Sequence, residues 1–307
     1  MKNEYDFLFT DKIPFLYFEK TKIVMKDGFL VALNGEKGIE AISAASTAMI
    51  ILGYGTSITQ EAALECSKYN CLLVFSRGGF NFHTILQEQR FKNTESLLNQ
   101  FELFKNHKLD IAKEFLKLRL MIDLKTTNFN EKIESFENEF VLMGNEANYY
   151  KKTYKKFCEK FKIEGFTRDK DYEIKRYKKN YDFEKLSDNE KINGRLNITN
   201  NVLYSYCAAL AFSLSLEPSL GFIHGETRRG GLSFDLADII KIQTTTKLSF
   251  NPKYKTKDLI INLRNELSKN NFLFIKIMIE VCTAIANKKT SFAEDIYEKY
   301  KAKLTNL

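Results

Sequence analysis

The sequence predicts an α+β protein in which an N-terminal β-rich domain precedes a larger, all-α domain. Up to about residue 85, apolar and polar side chains alternate in short runs that end at turn residues. From residue 86 to Gly144 glycine and proline are absent, and leucine, phenylalanine, lysine and glutamate recur at three- and four-residue spacing. The whole chain has only 3 prolines, as long helices require. We therefore expect domains at 1–85 and 86–307.

The first element along the chain is a predicted β-hairpin. Apolar and polar residues alternate from Ile13 to Met25, and the alternation resumes from Phe29 to Leu33. Lys26, Asp27 and Gly28 between the two runs form a turn signal.

A strand, a helix and a second strand are predicted next. The apolar runs 47–52 and 71–76 are typical of buried strands, whereas 58–69 has helical spacing with Thr59 as its N-cap. In the helical domain, Thr167 to Arg195 lacks a sustained apolar face, so we predict a mobile basic loop there.

Composition narrows the class of protein. The 307 residues are 44% hydrophobic, enough for a substantial core, yet no run of 18 apolar residues predicts a membrane span. The 5 cysteines include no CxxC pair and no secretory leader is recognised, so we expect a reduced, cytoplasmic protein.

The charge favours a polyanionic partner. The net charge is +8, and residues 149–183 alone combine 12 Lys or Arg with 6 Asp or Glu. A lysine-rich proteome would also give a basic chain, but this excess is local and interleaved with aromatic residues, which is typical of nucleic-acid binding.

The segment 221–241, GFIHGETRRGGLSFDLADIIK, concentrates the candidate chemistry. His224 precedes a predicted helix on which Asp235 and Asp238, three residues apart, share a face. An imidazole and carboxylates suit Mg²⁺ or Mn²⁺, and Glu146, which precedes a basic aromatic stretch, is the best further ligand. Each of these acids taken alone would more often be a solvated surface residue.

Four blocks of sequence together resemble a known family. These are ILGYGTSIT at 51–59, Asn145-Glu146-Ala147, NVLYSY from Asn201, and IHGETRRGGLSFDLADIIK from Ile223. They are similar to the CRISPR-associated protein one, the integrase and endonuclease of spacer acquisition. The TRRGG and FDLADIIK sequences most resemble its type I-F branch.

The resemblance implies a site, a reaction and partners. Glu146, His224 and Asp238 would bind Mg²⁺ or Mn²⁺, with Asp235 as a supporting catalytic acid. The enzyme would insert short DNA spacers into a CRISPR repeat array by attack of a 3′-hydroxyl on a phosphodiester, chemistry of the phosphodiester-hydrolase class. The N-terminal domain would form a homodimer, and the partners would be double-stranded DNA and a CRISPR-associated protein two, which in type I-F systems is fused to a helicase-nuclease. We expect DNA contacts from basic residues after Glu146 and in the 221–241 segment: Lys151, Lys152, Lys155, Lys156, Arg176, Arg228 and Arg229.

Two alternatives remain open on the sequence. A branched-DNA nuclease of repair or of a mobile element would use the same metal site without a repeat-array target. A non-catalytic DNA-binding scaffold would keep the carboxylates only to balance the arginines.

Overall fold

The computed structural model describes residues 11–36, 38–77, 81–85, 93–170, 172, 185–224, 231–255 and 258–305, with only the backbone described for 77 and 81–85. Its contacts divide the chain into two compact units, Met1–Arg90 with Asp171–Leu186, and Phe91–Lys170 with Ser187–Leu307. The predicted fold class is confirmed: a β-rich N-terminal region precedes a mostly helical one.

The N-terminal unit consists of short strands around one helix. Its elements are β1 (Leu16–Phe18), β2 (Thr21–Lys26), β3 (Phe29–Asn34), β4 (Gly38–Ile42), β5 (Met49–Leu52), β6 (Ser57–Ile58), α1 (Gln60–Lys68), β7 (Leu72–Arg77) and β8 (Asn81–Ile85). One sheet has the order β1-β5-β7-β8 and the other the order β4-β3-β2-β6. Side chains from both sheets and from α1 enclose a common apolar core.

The predicted hairpin is present, but its first strand is shorter than the sequence pattern indicates. β2 and β3 pair antiparallel with Lys26 opposite Phe29. The alternating run from Ile13 is divided because Lys20 has a positive φ of 49°, and β1 therefore joins the other sheet, beside β5. The alternation of apolar and polar residues does not reveal that one residue turns the chain from one sheet into the other.

The second unit is helical in the residues that the structure describes. Its elements are α2 (Thr94–Asn106), α3 (Lys108–Leu124), α4 (Asn130–Glu134), α5 (Glu139–Phe161), α6 (Asp188–Ser213), α7 (Gly231–Ile240), a π-helical turn (Ile242–Thr246), α8 (Lys247–Phe250), α9 (Leu259–Ala286, interrupted at 269–272) and α10 (Ala293–Thr305). None of these described helices is long and apolar enough to cross a membrane.

The prediction of a basic loop over Thr167–Arg195 is wrong at its C-terminal end, where α6 begins. Ser187 and Glu190 form a reciprocal capping box that starts this helix. The following turns are buried on several sides and include Asn193 and Arg195, so they show no amphipathic stripe. Residues 173–184 lie outside the described part of the chain.

Helix α7 is the centre of the helical unit. It packs against α3, α6 and α9, and all of its side chains except that of Phe234 are buried. Helix α3 also packs against α5, so it lies beside both of the helices that carry the predicted site acids. Acidic side chains on α7 are consequently held inside the protein, where each needs a polar partner.

A close contact between two glycines joins the segment 218–224 to the first turn of α7. A Cβ atom on Gly221 would lie 2.2 Å from the carbonyl carbon of Gly231, and one on Gly231 would lie 2.5 Å from the Gly221 nitrogen. The Ser233 amide also donates to the Pro218 carbonyl oxygen at 3.2 Å. The segment 218–224 therefore lies directly on the first turn of α7.

We predict that Gly221→Ala lowers the free energy of unfolding by about 1–3 kcal/mol, because the added methyl group overlaps backbone atoms that cannot move independently. Gly144→Ala is the matched control: a Cβ there meets nothing within 4 Å, and Gly144 lies within α5. The control should be stabilised by about 0.5–1 kcal/mol. Urea unfolding measures both variants, and a Gly221→Ala protein as stable as wild type would contradict the close contact.

Candidate metal and DNA site

The carboxylate of Asp235 joins the loop before α7 to the helix itself. One oxygen, Oδ2, accepts hydrogen bonds from the amides of Phe222 (2.6 Å) and Ile223 (3.1 Å). The other, Oδ1, accepts from the His224 amide at 3.3 Å and lies 2.8 Å from His224 Nδ1. Asp235 is 1% exposed, so these contacts replace water as its hydrogen-bond partners.

These contacts orient the imidazole of His224. With Nδ1 donating to Asp235, the neutral ring has its lone pair on Nε2, on the opposite side. Nε2 lies 3.9 Å from Oε2 of Glu146. The arrangement is that of a metal-ligating histidine whose second nitrogen is held by a carboxylate.

Glu146 comes from α5 and is buried in the interior of that helix. It lies two turns after Asn138, whose side chain caps α5, so it is not a first-turn surface acid. Its Oε1 accepts a hydrogen bond from Arg119 Nη1 at 2.5 Å. Its other oxygen, Oε2, faces His224.

Asp238 completes a group of three ligand types. It follows Asp235 by one turn on α7 and pairs with Lys241 through Oδ1. One ligand atom each from Glu146, His224 and Asp238 lies within 4.8 Å of the other two. Among the described residues, no other group of His, Cys, Asp or Glu side chains meets this criterion.

The donor set of this group fits a small divalent cation. It offers one imidazole nitrogen and two carboxylate oxygens, which suits Mn²⁺ and, through the oxygens, Mg²⁺. All three side chains are buried, so repulsion between the acids must be offset within the protein.

Burial and the neighbouring charges give the two acids opposite pKa shifts. Burial alone raises the pKa of Asp238, but Lys241, His224 and Arg119 outweigh it and lower that pKa to about 2. For Glu146 burial dominates over the attraction of Arg119, and its pKa is raised. Asp238 is thus an anion at neutral pH, whereas burial makes Glu146 the acid of the pair that is more readily protonated.

The pKa of His224 is raised as well. Burial lowers it, but the hydrogen bond to Asp235 and the charges of Asp238, Asp235 and Glu146 more than compensate. Without a metal, the ring gains a proton more readily than a free imidazole. A bound cation would have to displace that proton.

Four residues beside the site were not predicted from the sequence: Arg119, Tyr150, Tyr204 and Lys241. Nζ of Lys241 lies 5.5 Å from the ring centroid of Tyr150 and 4.8 Å from that of Tyr204. The Arg119 guanidinium carbon lies 3.9 Å from the Tyr150 centroid. The three-residue spacing between Asp238 and Lys241 could have predicted their ion pair. No local sequence pattern indicates that Arg119 or Tyr150 belongs to the site.

Four of the seven residues predicted to contact DNA lie in the part of the chain that the structure describes. The side chains of four lysines on α5 are exposed and recur on one side of the helix after Glu146: Lys151, Lys152, Lys155 and Lys156. The arginines at positions 176, 228 and 229 lie outside the described residues.

We predict that Asp235→Asn lowers the pKa of His224, since the charged acceptor of the Nδ1 proton is lost while burial still favours the neutral ring. An NMR titration of the imidazole signals in metal-free protein measures the shift. Asp110→Asn, an exposed acid on α3, is the control and should leave His224 unchanged. An unaltered His224 titration in Asp235→Asn would contradict the role given to Asp235.

Comparison with known proteins shows the family of the chain. The family model described as "CRISPR associated protein Cas1" matches residues 15–252, more than half of the chain. A protein of Chlorobaculum tepidum named CRISPR-associated endonuclease Cas1 2 is 25% identical over 78% of this chain and 75% of its own length. The CRISPR-associated endonuclease Cas1 of Pseudomonas aeruginosa is 25% identical over 65% of this chain and 68% of its own length.

Solved structures share the fold. A TtCas1–DNA complex superposes with a TM-score of 0.68 at 17% identity, covering 88% of this chain and 91% of that one. A casposase bound to an integration product gives a TM-score of 0.67 at 15% identity, covering 90% and 91%. A Cas6-RT-Cas1–Cas2 complex gives a TM-score of 0.64 at 13% identity, covering 95% of this chain and 37% of the other. The chain belongs to the Cas1 family of CRISPR-associated proteins.

Proposed function

We propose that this protein is a metal-dependent DNA integrase and endonuclease that inserts short DNA spacers into a CRISPR repeat array. The observation that carries the proposal is the convergence of Glu146, His224 and Asp238 within 4.8 Å. Family membership supports the reaction class, since curated relatives are named endonucleases and a neighbour of the same fold is bound to an integration product.

In this proposal Glu146, His224 and Asp238 hold a Mg²⁺ or Mn²⁺ ion. Such an ion supplies charge stabilisation to a phosphodiester under attack and promotes ionisation of the attacking 3′-hydroxyl. Asp235 keeps Nε2 of His224 available as a ligand, and Lys241 keeps Asp238 ionised. Transesterification of this kind needs no covalent enzyme nucleophile, so the protein acts by positioning and by charge.

The lysines on α5 are proposed to bind the DNA backbone. They follow Glu146 on the same helix, on the solvent-exposed face opposite its buried carboxylate, so they would bind DNA that extends past the metal site and not the phosphate at the metal. Lysine contacts to phosphate carry no sequence information, and the choice of target would come from elsewhere. The proposed contacts of Arg176, Arg228 and Arg229 rest on the sequence resemblance alone.

The assembly is proposed from the same resemblance. We assign dimerisation to a domain at 1–85 and catalysis to a domain at 86–307. Exposed apolar side chains on the sheet β4-β3-β2-β6, Phe29 (68%) and Ile39 (63%), support a protein contact there. The Cas6-RT-Cas1–Cas2 neighbour supports Cas2 as a partner.

The subtype is proposed from two sequences, TRRGG and FDLADIIK, which favour type I-F and a Cas2 fused to a helicase-nuclease. The proposed action on a CRISPR repeat array also favours a cytoplasmic location.

We predict that Asp238→Asn abolishes Mn²⁺ binding and the joining of a pre-processed duplex to a supercoiled repeat array, while duplex affinity is retained. The substitution preserves side-chain shape but removes the ligand charge. Calorimetry and a gel assay of joined product measure the two losses. Glu159→Gln, an exposed acid on α5, is the control and should behave as wild type.

Joining by Asp238→Asn at the wild-type rate would contradict the metal assignment. Cleavage by the wild-type protein without joined product would favour the branched-DNA nuclease. A wild-type protein that binds DNA but no Mn²⁺ would favour the non-catalytic scaffold.

We predict that replacing the four exposed α5 lysines by alanine reduces the slope of log affinity against log salt by about 0.9 for each phosphate that a lysine no longer neutralises. Fluorescence anisotropy with duplex DNA at several salt concentrations measures the slope. A control with the same change in net charge replaces four exposed lysines on and before α10: Lys289, Lys299, Lys301 and Lys303. Equal slopes for the two variants would contradict a DNA-binding face on α5.

A further inference from the structure

The two oxygens of Glu146 have different neighbours. Oε1 accepts the hydrogen bond from Arg119 Nη1, and Oε2 lies 3.9 Å from His224 Nε2. A carboxylate is planar, so binding Arg119 through one oxygen turns the other toward the proposed metal position. Oε1 is then already engaged by a cationic donor, and Oε2 is the oxygen better placed for a metal ion.

Arg119 is held firmly enough to impose this orientation. It is 1% exposed on α3, with its guanidinium against the ring of Tyr150 and Nε 3.9 Å from Oδ2 of Asp123. Within the described residues, Nε and Nη2 have no hydrogen-bond acceptor. The hydrogen bonding of this buried guanidinium is therefore directed to Oε1 of Glu146.

We propose that Arg119 is a positioning residue that restricts Glu146 to one metal-facing oxygen and thereby favours Mg²⁺ or Mn²⁺ over Ca²⁺. The proposal rests on the metal site proposed above. Mg²⁺ requires near-octahedral geometry, which single carboxylate oxygens and water provide, whereas Ca²⁺ takes six to eight oxygens and often binds both oxygens of one carboxylate. By engaging Oε1, Arg119 denies the larger ion that second oxygen.

The ratio of two metal affinities isolates this effect. Removal of Arg119 also removes a positive charge near the cation, which strengthens binding of any divalent ion. It further destabilises the protein, because Glu146 loses its buried partner, and this weakens binding of any ion. Since Mn²⁺ and Ca²⁺ carry the same charge, both effects cancel in the ratio of their dissociation constants. Only the freed oxygen changes the ratio.

The experiment compares Mn²⁺ and Ca²⁺ binding by calorimetry in the full-length protein. Arg119→Met removes the hydrogen bond to Oε1 while it retains a long apolar side chain against Tyr150. Lys117→Met is the matched control, because Lys117 is a buried cation on the same helix but pairs with Glu114 and Glu134 instead of a metal-site acid. Circular dichroism checks that each variant is folded.

We expect the preference for Mn²⁺ over Ca²⁺ to fall about tenfold in Arg119→Met, the lower end for loss of a partner of a metal ligand. It should be unchanged in Lys117→Met. If Arg119→Met does not fold, Arg119→Lys decides, since the shorter ammonium group cannot match the guanidinium contact and the preference should fall in the same direction.

An unchanged ratio in the folded Arg119 variant would overturn the proposal. So would an equal loss of preference in Lys117→Met, which would show a general effect of removing a buried cation from α3. If the wild-type protein binds neither ion, the proposed metal site itself fails, an outcome distinct from the failure of the Arg119 assignment.

Discussion

The site depends on the requirement that every buried charge be paired. Asp235 satisfies this requirement with three backbone amides and the ring of His224. These four contacts hold residues 222–224 on α7 and turn Nε2 of His224 toward Glu146. If the carboxylate lacked them, its burial would cost several kcal/mol.

The same principle extends to all three proposed ligands. Each has one atom held by another side chain: His224 by Asp235, Glu146 by Arg119, and Asp238 by Lys241. The two cations offset the acids, which allows the group to remain buried between helices before any ion binds. The aromatic ring of Tyr150 lies against Arg119 and near Lys241, and it helps to fix both.

Local sequence predicted the elements that local forces determine. The Thr59 cap of α1, the β2–β3 turn and the shared face of Asp235 and Asp238 all follow from short-range spacing. The capping box at Ser187 could have been recognised in the sequence as the start of α6. The buried polar residues that follow obscure the helical periodicity of the apolar ones. The partners of the ligands could not be predicted, because Arg119 reaches Glu146 only through the packing of α3 against α5.

The most direct measurement is a crystal structure of the protein soaked with Mn²⁺, with the ion located by anomalous scattering. One peak is expected at about 2.0–2.3 Å from Oε2 of Glu146, Nε2 of His224 and an oxygen of Asp238, with Oε1 of Glu146 still bound by Arg119. An ion bound at other residues, or this group of side chains empty in crystals that hold Mn²⁺ elsewhere, would contradict the central claim.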